Sequence, residues 1–171
     1  MATNSVNLYS LALKDSRTFI YSTLFVIGNV LLPQICHLIP DGGFIFLPIY
    51  FFTLIGAYKY GWKVGMLTAI ASPLVNHFFF GMPPVAVLPS LLIKSTLLAL
   101  AAAYVAKRYQ SVNILLLIAT VLFYQIVGSL IESCITGSLA IGFQDFSIGI
   151  PGMVLQVVGG YFFIKNILRS K

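Results

Sequence analysis

Charge is what this sequence has least of. Only 8% of its 171 residues are charged, against roughly 25% in an ordinary soluble domain. Acid is scarcer than base: Asp15, Asp41, Glu132 and Asp145 are its 4 carboxylates, against 10 lysines and arginines. No paired-carboxylate signature can be assembled from them, and neither a GxSxG nor an HExxH motif occurs. The absence of a phosphate loop excludes ATP hydrolysis by this chain alone, so an enzyme is not expected. Charged tails, low-complexity linkers and internal repeats are lacking too, which argues for one domain over 1–171 and against inverted-repeat architectures. The first apolar run follows a polar start and has no small-residue cleavage site, so no signal peptide is expected. Cysteine is limited to Cys36 and Cys134. Both fall near one membrane face, and free thiols and a disulfide are both open readings.

What is abundant is apolar: 59% hydrophobic residues and a mean hydropathy of +0.98. That composition defines an all-α integral membrane protein, packed as a single compact bundle. Six spans of roughly the 20 residues that cross a bilayer are expected. A polar or amphipathic segment over 1–17 precedes the first, at 18–38. The IPDGG turn leads to a short second span at 44–58 with Pro48 inside, which either starts partly re-entrant or sits in a thin part of the fold. Two more spans share 61–107 and meet at the hinge GMPPVAVLP. The fifth covers 114–133, the longest loop follows as CITGSLAIGFQDFS, and the sixth covers 148–167. Lys14, Arg17, Lys59, Lys63, Lys107, Arg108, Lys165, Arg169 and Lys171 all flank one side. The +6 charge is therefore a topology signal rather than a nucleic-acid footprint, and the positive-inside rule places both termini in the cytoplasm. Asp41, Glu132 and Asp145 then lie toward the outside.

Polar residues inside the spans mark the candidate site. Gly61, Gly65, Ala69, Ser72 and Asn76 recur every three or four residues, which puts them on one helical face. Ser95, Ala99, Ala102, Ala103 and Ala106 form a second small-residue stripe, with Lys94 beside it. A lysine inside an apolar helix must face protein, water or a ligand. Gln34, Cys36, His37, Asn76, His77, Lys94 and Glu132 share the outer half. They form either a pocket opening outward or a set of interfacial side chains reaching for water. Lys94 and Glu132 either pair with each other or hold a substrate. Gln125, Gly128, Ser129 and Glu132 share a face of the fifth span, and Gly149, Gly152, Gln156, Gly159 and Gly160 one of the sixth. Substrate contacts are expected from Asn76, His77 and Lys94, then Glu132, Gln34 and His37, with Gln125 and Gln156 deeper. Cys36, His37 and His77 have donors that suit zinc, copper or a tetrapyrrole metal. Their spacing matches no metal motif, so no metal and no cofactor are expected. Phe78, Phe79, Phe80, Phe143 and Phe146 either cover a planar ligand or form an interfacial belt.

The tract LLPQICHLIPDGGFIFLPIYFFTLIGAYKYGWKVGMLTAIASPLVNHFFFGMPPVAVLPSLLIKSTLLALAAAYVAKR resembles the substrate-binding S component of energy-coupling factor transporters. Its GG turn before LP, basic GWKVG link, SPLVNHFFFGMPP helix end and LPSLLIKSTLLALAAAYV carry the likeness, over about two-thirds of the chain. The resemblance implies capture of a vitamin or similar micronutrient near the external face of a prokaryotic plasma membrane. Loops 39–47 and 81–89 would cover the ligand. A transmembrane coupling protein and two cytoplasmic ATPases would be the partners, with the S component toppling to release substrate inside. A small-residue docking face is implied in the first span, where Ser22 and Gly28 are available. The Gly61/Gly65/Ala69 stripe is a second candidate, with internal helix packing as its other reading. A self-sufficient ion- or proton-coupled carrier using Glu132, and a structural or assembly subunit, are the competing expectations. Lys94 hints at a carboxylate or phosphate on the ligand; heme, a cobalamin and flat heterocyclic vitamins also fit.

Overall fold

The structure, a computed structural model, describes residues 8–167. The first seven residues of the opening polar segment, and Arg169 and Lys171 of the basic side, lie outside the described residues. Asp15 caps α1 (Ser16–Cys36) by accepting a hydrogen bond from the Arg17 amide at 3.0 Å, which satisfies one of the free amides of the first turn. The buried face of α1 is Thr18, Ser22, Phe25, Asn29 and Pro33. Its opposite face exposes Phe19, Ile20, Leu24, Ile27, Leu31 and Ile35. Polar groups inward and large apolar groups outward reverse the pattern of a water-facing helix. The arrangement suits lipid.

The second apolar segment is broken. It starts as α2 (Gly42–Phe46), stops at Leu47 in the left-handed region (φ 46°), and resumes through a 3-10 turn (Pro48–Tyr50) into α3 (Phe51–Tyr60). Pro48 cannot donate a backbone hydrogen bond, so the break falls beside it. Together the pieces run Gly42–Tyr60, a little longer at both ends than the expected 44–58. α3 is the axis of the bundle: Thr53 to Tyr60 are all buried, and it packs on α1, α4 (Trp62–Phe80), α5 (Leu88–Tyr109) and α9 (Ile150–Phe162). The single-residue link Gly61 has φ 94°, a conformation that glycine alone adopts without strain. Tyr9 and Leu11 donate backbone hydrogen bonds to the carbonyls of Lys59 (2.8 Å) and Tyr60 (3.2 Å). These pin the N-terminal segment across the basic end of the bundle.

α5 (Leu88–Tyr109) packs on α4 and on α6 (Ile114–Thr136). Asn113 caps α6 through the Leu115 amide at 3.0 Å. The stretch expected as the longest loop is two short helices, α7 (Leu139–Gly142) and α8 (Gln144–Ile148). The last segment is α9 (Ile150–Phe162), closed by a wider π-type turn at Phe163–Ile167.

Among the described residues all regular structure is helical. Ser16–Cys36, Gly42–Tyr60, Leu88–Tyr109 and Ile114–Thr136 are long and apolar enough to cross a membrane. α4 is as long, but Lys63, Asn76 and His77 make it more polar, and α9 alone has 13 residues. Four such helices are compatible with an integral membrane protein.

Candidate functional site

The polar residues that the sequence groups at one depth separate into two centres. The first is a clamp between α1, α3 and α4. Asn29 donates to Thr53 Oγ1 (3.0 Å) and Ser72 Oγ (3.1 Å), and accepts from the Phe52 amide (3.1 Å). Phe52 lies in the first turn of α3, where amides lack acceptors in their own helix, so the clamp also repairs the break at Leu47. Asn76 donates to the carbonyls of Asn29 (2.9 Å) and Ser72 (3.0 Å), and Gln34 donates to Asn76 Oδ1 at 3.5 Å. Both amide hydrogens of this carboxamide are used, and its oxygen accepts one long contact. Asn76 and Gln34 therefore join helices and do not meet Lys94.

The second centre is ionic. Lys94 is 1% exposed, and its Nζ lies 2.6 Å from Glu132 Oε2 on α6 and 2.8 Å from Asp145 Oδ2 on α8. The Asp145 contact is also a hydrogen bond, whereas the Glu132 contact is a close ion pair without hydrogen-bond alignment. Lys94 can reach so far because α6 carries Gly128 where its stem passes: a Cβ there would lie 2.5 Å from Lys94 Cγ. Burying a charge is costly unless it is paired, and here one ammonium meets two carboxylates. Their side chains are 11% and 21% exposed, so Asp145 is the member nearest the surface. Sequence reasoning placed Asp145 in an outward loop without linking it to Lys94. The available signal was that it is the one acid of a stretch holding no base.

Unpaired polar atoms occur on α5, α6 and α9. Gln125, Ser129 and Glu132 occupy one face of α6 at three- and four-residue steps. Both amide atoms of Gln125, Ser129 Oγ, Ser95 Oγ and Gln156 Nε2 are buried with no hydrogen-bond partner among the described residues. Each such group costs about 1–3 kcal/mol, so the set calls for a partner from outside the chain, water or ligand. Gln156 Oε1 is satisfied by the Tyr124 hydroxyl at 3.0 Å. Tyr124 in turn packs its ring 5.1 Å from that of Tyr50. These two tyrosines escaped the sequence reading because aromatic residues in a membrane span carry no distinctive spacing.

His77 Nδ1 lies 2.8 Å from the Pro83 carbonyl and braces the α4–α5 connection. His37 is exposed and covers Gly43, where a Cβ would lie 2.7 Å from its Nε2. Neither histidine reaches the ionic centre. Cys36 and Cys134 are both free thiols, and among the described residues no group of three or more His, Cys, Asp or Glu could hold a metal. Phe78, Phe79 and Phe80 are exposed, while Phe143 and Phe146 pack on each other at 6.2 Å.

The small-residue stripe is filled by the chain itself. A Cβ at Gly65 would collide with Ala57 of α3 and approach Ala99 of α5 at 3.3 Å, and one at Gly28 would meet the Phe52 ring at 2.7 Å. Gly61 is closed over by Tyr9 and Ser10, Ala69 is buried, and Ser22 donates to the Thr18 carbonyl at 2.7 Å. Close approach of α3 and α5 accounts for Gly65 and the Phe52 ring for Gly28, whereas Gly61 meets the N-terminal segment and Ser22 bonds within its own helix.

Comparison of the chain with protein families, curated proteins and solved structures gives no match.

Proposed function

We propose that this chain is a non-catalytic, membrane-embedded substrate-capture subunit, of the kind that serves an ATP-driven micronutrient uptake system. The observations that carry the reading are a shielded Lys94–Glu132–Asp145 centre and, in the same bundle, buried amide and hydroxyl groups that have no hydrogen-bond partner among the described residues. A rigid apolar bundle with a few unsatisfied polar groups is the chemistry of tight, desolvating capture. In this reading α4 and α9 join the four long apolar helices to make six crossings. The basic end, with both termini, faces the cytoplasm of a prokaryotic cell. Asp145, the most exposed member of the centre, sits on a short helix between α6 and α9. It is the contact that opens to admit the ligand.

The ligand is a vitamin or related micronutrient, and a transmembrane coupling protein with two ATPases supplies energy that this chain has no means to supply. A carboxylate on the ligand would have to displace Asp145 from Lys94, because that ammonium already has two anionic partners. The test is uptake by the chain with and without the coupling protein and ATPases. Accumulation of a vitamin that needs all of them supports the reading.

A second reading rests on the same carboxylates. Glu132 and Asp145 facing one lysine inside a bundle would also suit a proton- or ion-coupled carrier. Uptake by the chain alone, driven by an ion gradient and lost in Glu132→Gln, would favour that carrier.

A further inference from the structure

We propose that the basic end of the bundle holds a site for one anionic phospholipid, separate from the ionic centre. A cavity of about 230 Å³ opens there between the N-terminal segment, the α3–α4 link and the last turns of α5. It is smaller than the roughly 300–1,000 Å³ of sites that enclose a whole small ligand, so it takes part of a larger molecule. Its lining divides by chemistry. Ala103 and Ala106 give a buried apolar floor, the half-buried Leu8 and exposed Leu100 extend it outward, and Ser10, Gln110 and Lys107 add polar groups to the lining. Trp62 and Tyr104 also line it, and both are well exposed, at 49% and 68%. Aromatic side chains of that kind sit at headgroup level in membrane proteins.

Charge selects the occupant. Lys107 lines the cavity directly, and Lys63 Nζ lies 5.8 Å from the ring of Trp62, another lining residue. None of the lining residues is acidic, and Asp15, the carboxylate at this end, is engaged in capping α1. An apolar floor beneath a cationic rim at the membrane interface matches a phosphodiester headgroup with the upper part of an acyl chain. Basic pockets between transmembrane helices bind anionic headgroups in this way.

Trp62 is the one tryptophan of the chain and lines the cavity, so its fluorescence reports the occupant directly. The full chain is reconstituted into phosphatidylcholine vesicles containing increasing fractions of brominated phosphatidylglycerol or brominated phosphatidylcholine, whose bromines quench a nearby indole. Quenching is expected at a lower mole fraction with phosphatidylglycerol. Each of Lys63→Gln and Lys107→Gln should reduce that preference by about fivefold, as expected for one basic residue near an anionic lipid. Lys107 is exposed and Lys63 half-buried, and helical circular dichroism should be unchanged in the variants. Equal quenching by the two headgroups overturns the assignment and leaves the cavity to a protein partner. A phosphatidylglycerol preference that survives in the double variant also overturns it, because the preference then belongs to the general basic belt.

Discussion

Replacing Gln125 with methionine should stabilise the ligand-free protein, whereas replacing Asn76 with leucine should destabilise it. Both are buried carboxamides on apolar helices, and they differ in what their atoms meet. Gln125 leaves its oxygen and nitrogen unpaired. An unsatisfied buried polar group costs about 1–3 kcal/mol, and methionine has similar length and volume, so repacking costs less than about 1.5 kcal/mol. The expected balance is a gain of about 1 kcal/mol. Asn76 donates two hydrogen bonds at 2.9 and 3.0 Å and accepts a third. At about 0.5–1.5 kcal/mol each, its loss should cost about 2–3 kcal/mol. Chemical denaturation of the purified protein in a mild detergent measures both, read as the midpoint at unchanged slope. Gln125→Met should also lose stabilisation by the captured ligand. A Gln125→Met protein less stable than the original by 1 kcal/mol or more would refute the reasoning, as would a neutral Asn76→Leu.

Removing Lys94 leaves the buried Glu132 carboxylate without its cation and facing the half-buried Asp145, so Lys94→Met should cost about 3–5 kcal/mol. Adding Glu132→Gln should recover part of that loss, and a double-mutant cycle by denaturation would show the coupling. Asp145→Asn should cost less than Glu132→Gln, because Asp145 is the more exposed of the pair and regains water more readily. Gly65→Val forces α3 and α4 apart against Ala57, and should cost more than the about 1–3 kcal/mol typical of overpacking. Gly81→Ala is the control: its φ of 68° is strained for alanine, yet no atom lies within 4 Å of the added carbon, so about 1–2 kcal/mol is expected by the same denaturation assay.

The sequence shows helix faces well and helix neighbours poorly. Three- and four-residue spacing correctly groups Gln125, Gly128, Ser129 and Glu132 on α6, and correctly marks Lys94 as a side chain that needs company. Spacing says nothing about which face turns toward which partner. Asn76 and Lys94 therefore looked adjacent at one depth, although Asn76 turns to Asn29 on α1 and Lys94 to α6 and α8. Asn29 was visible as a polar residue in the first span, but its role as a hub depends on Thr53, Ser72 and Phe52, which come from two other helices. Asp145 was legible as a lone acid in a loop. That the loop folds into α7 and α8, and so delivers the carboxylate to Lys94, depends on tertiary contacts. Pro48 announced an irregular second span, while the left-handed turn itself falls at Leu47, a residue type that rarely adopts it. Small residues at positions 61, 65 and 69 signalled close helix approach. At Gly65 the approaching helices are α3 and α5.

Thermal unfolding of the purified protein in detergent, against a panel of vitamins, heme and cobalamins, tests the capture reading most directly. A ligand present at about 100 times its Kd should add roughly 2.7 kcal/mol. One compound should give such a shift, lost in Lys94→Met and in Gln125→Met but retained in Cys134→Ser, a change at an exposed free thiol. Stabilisation by no compound, or a shift that survives both site variants, would contradict it.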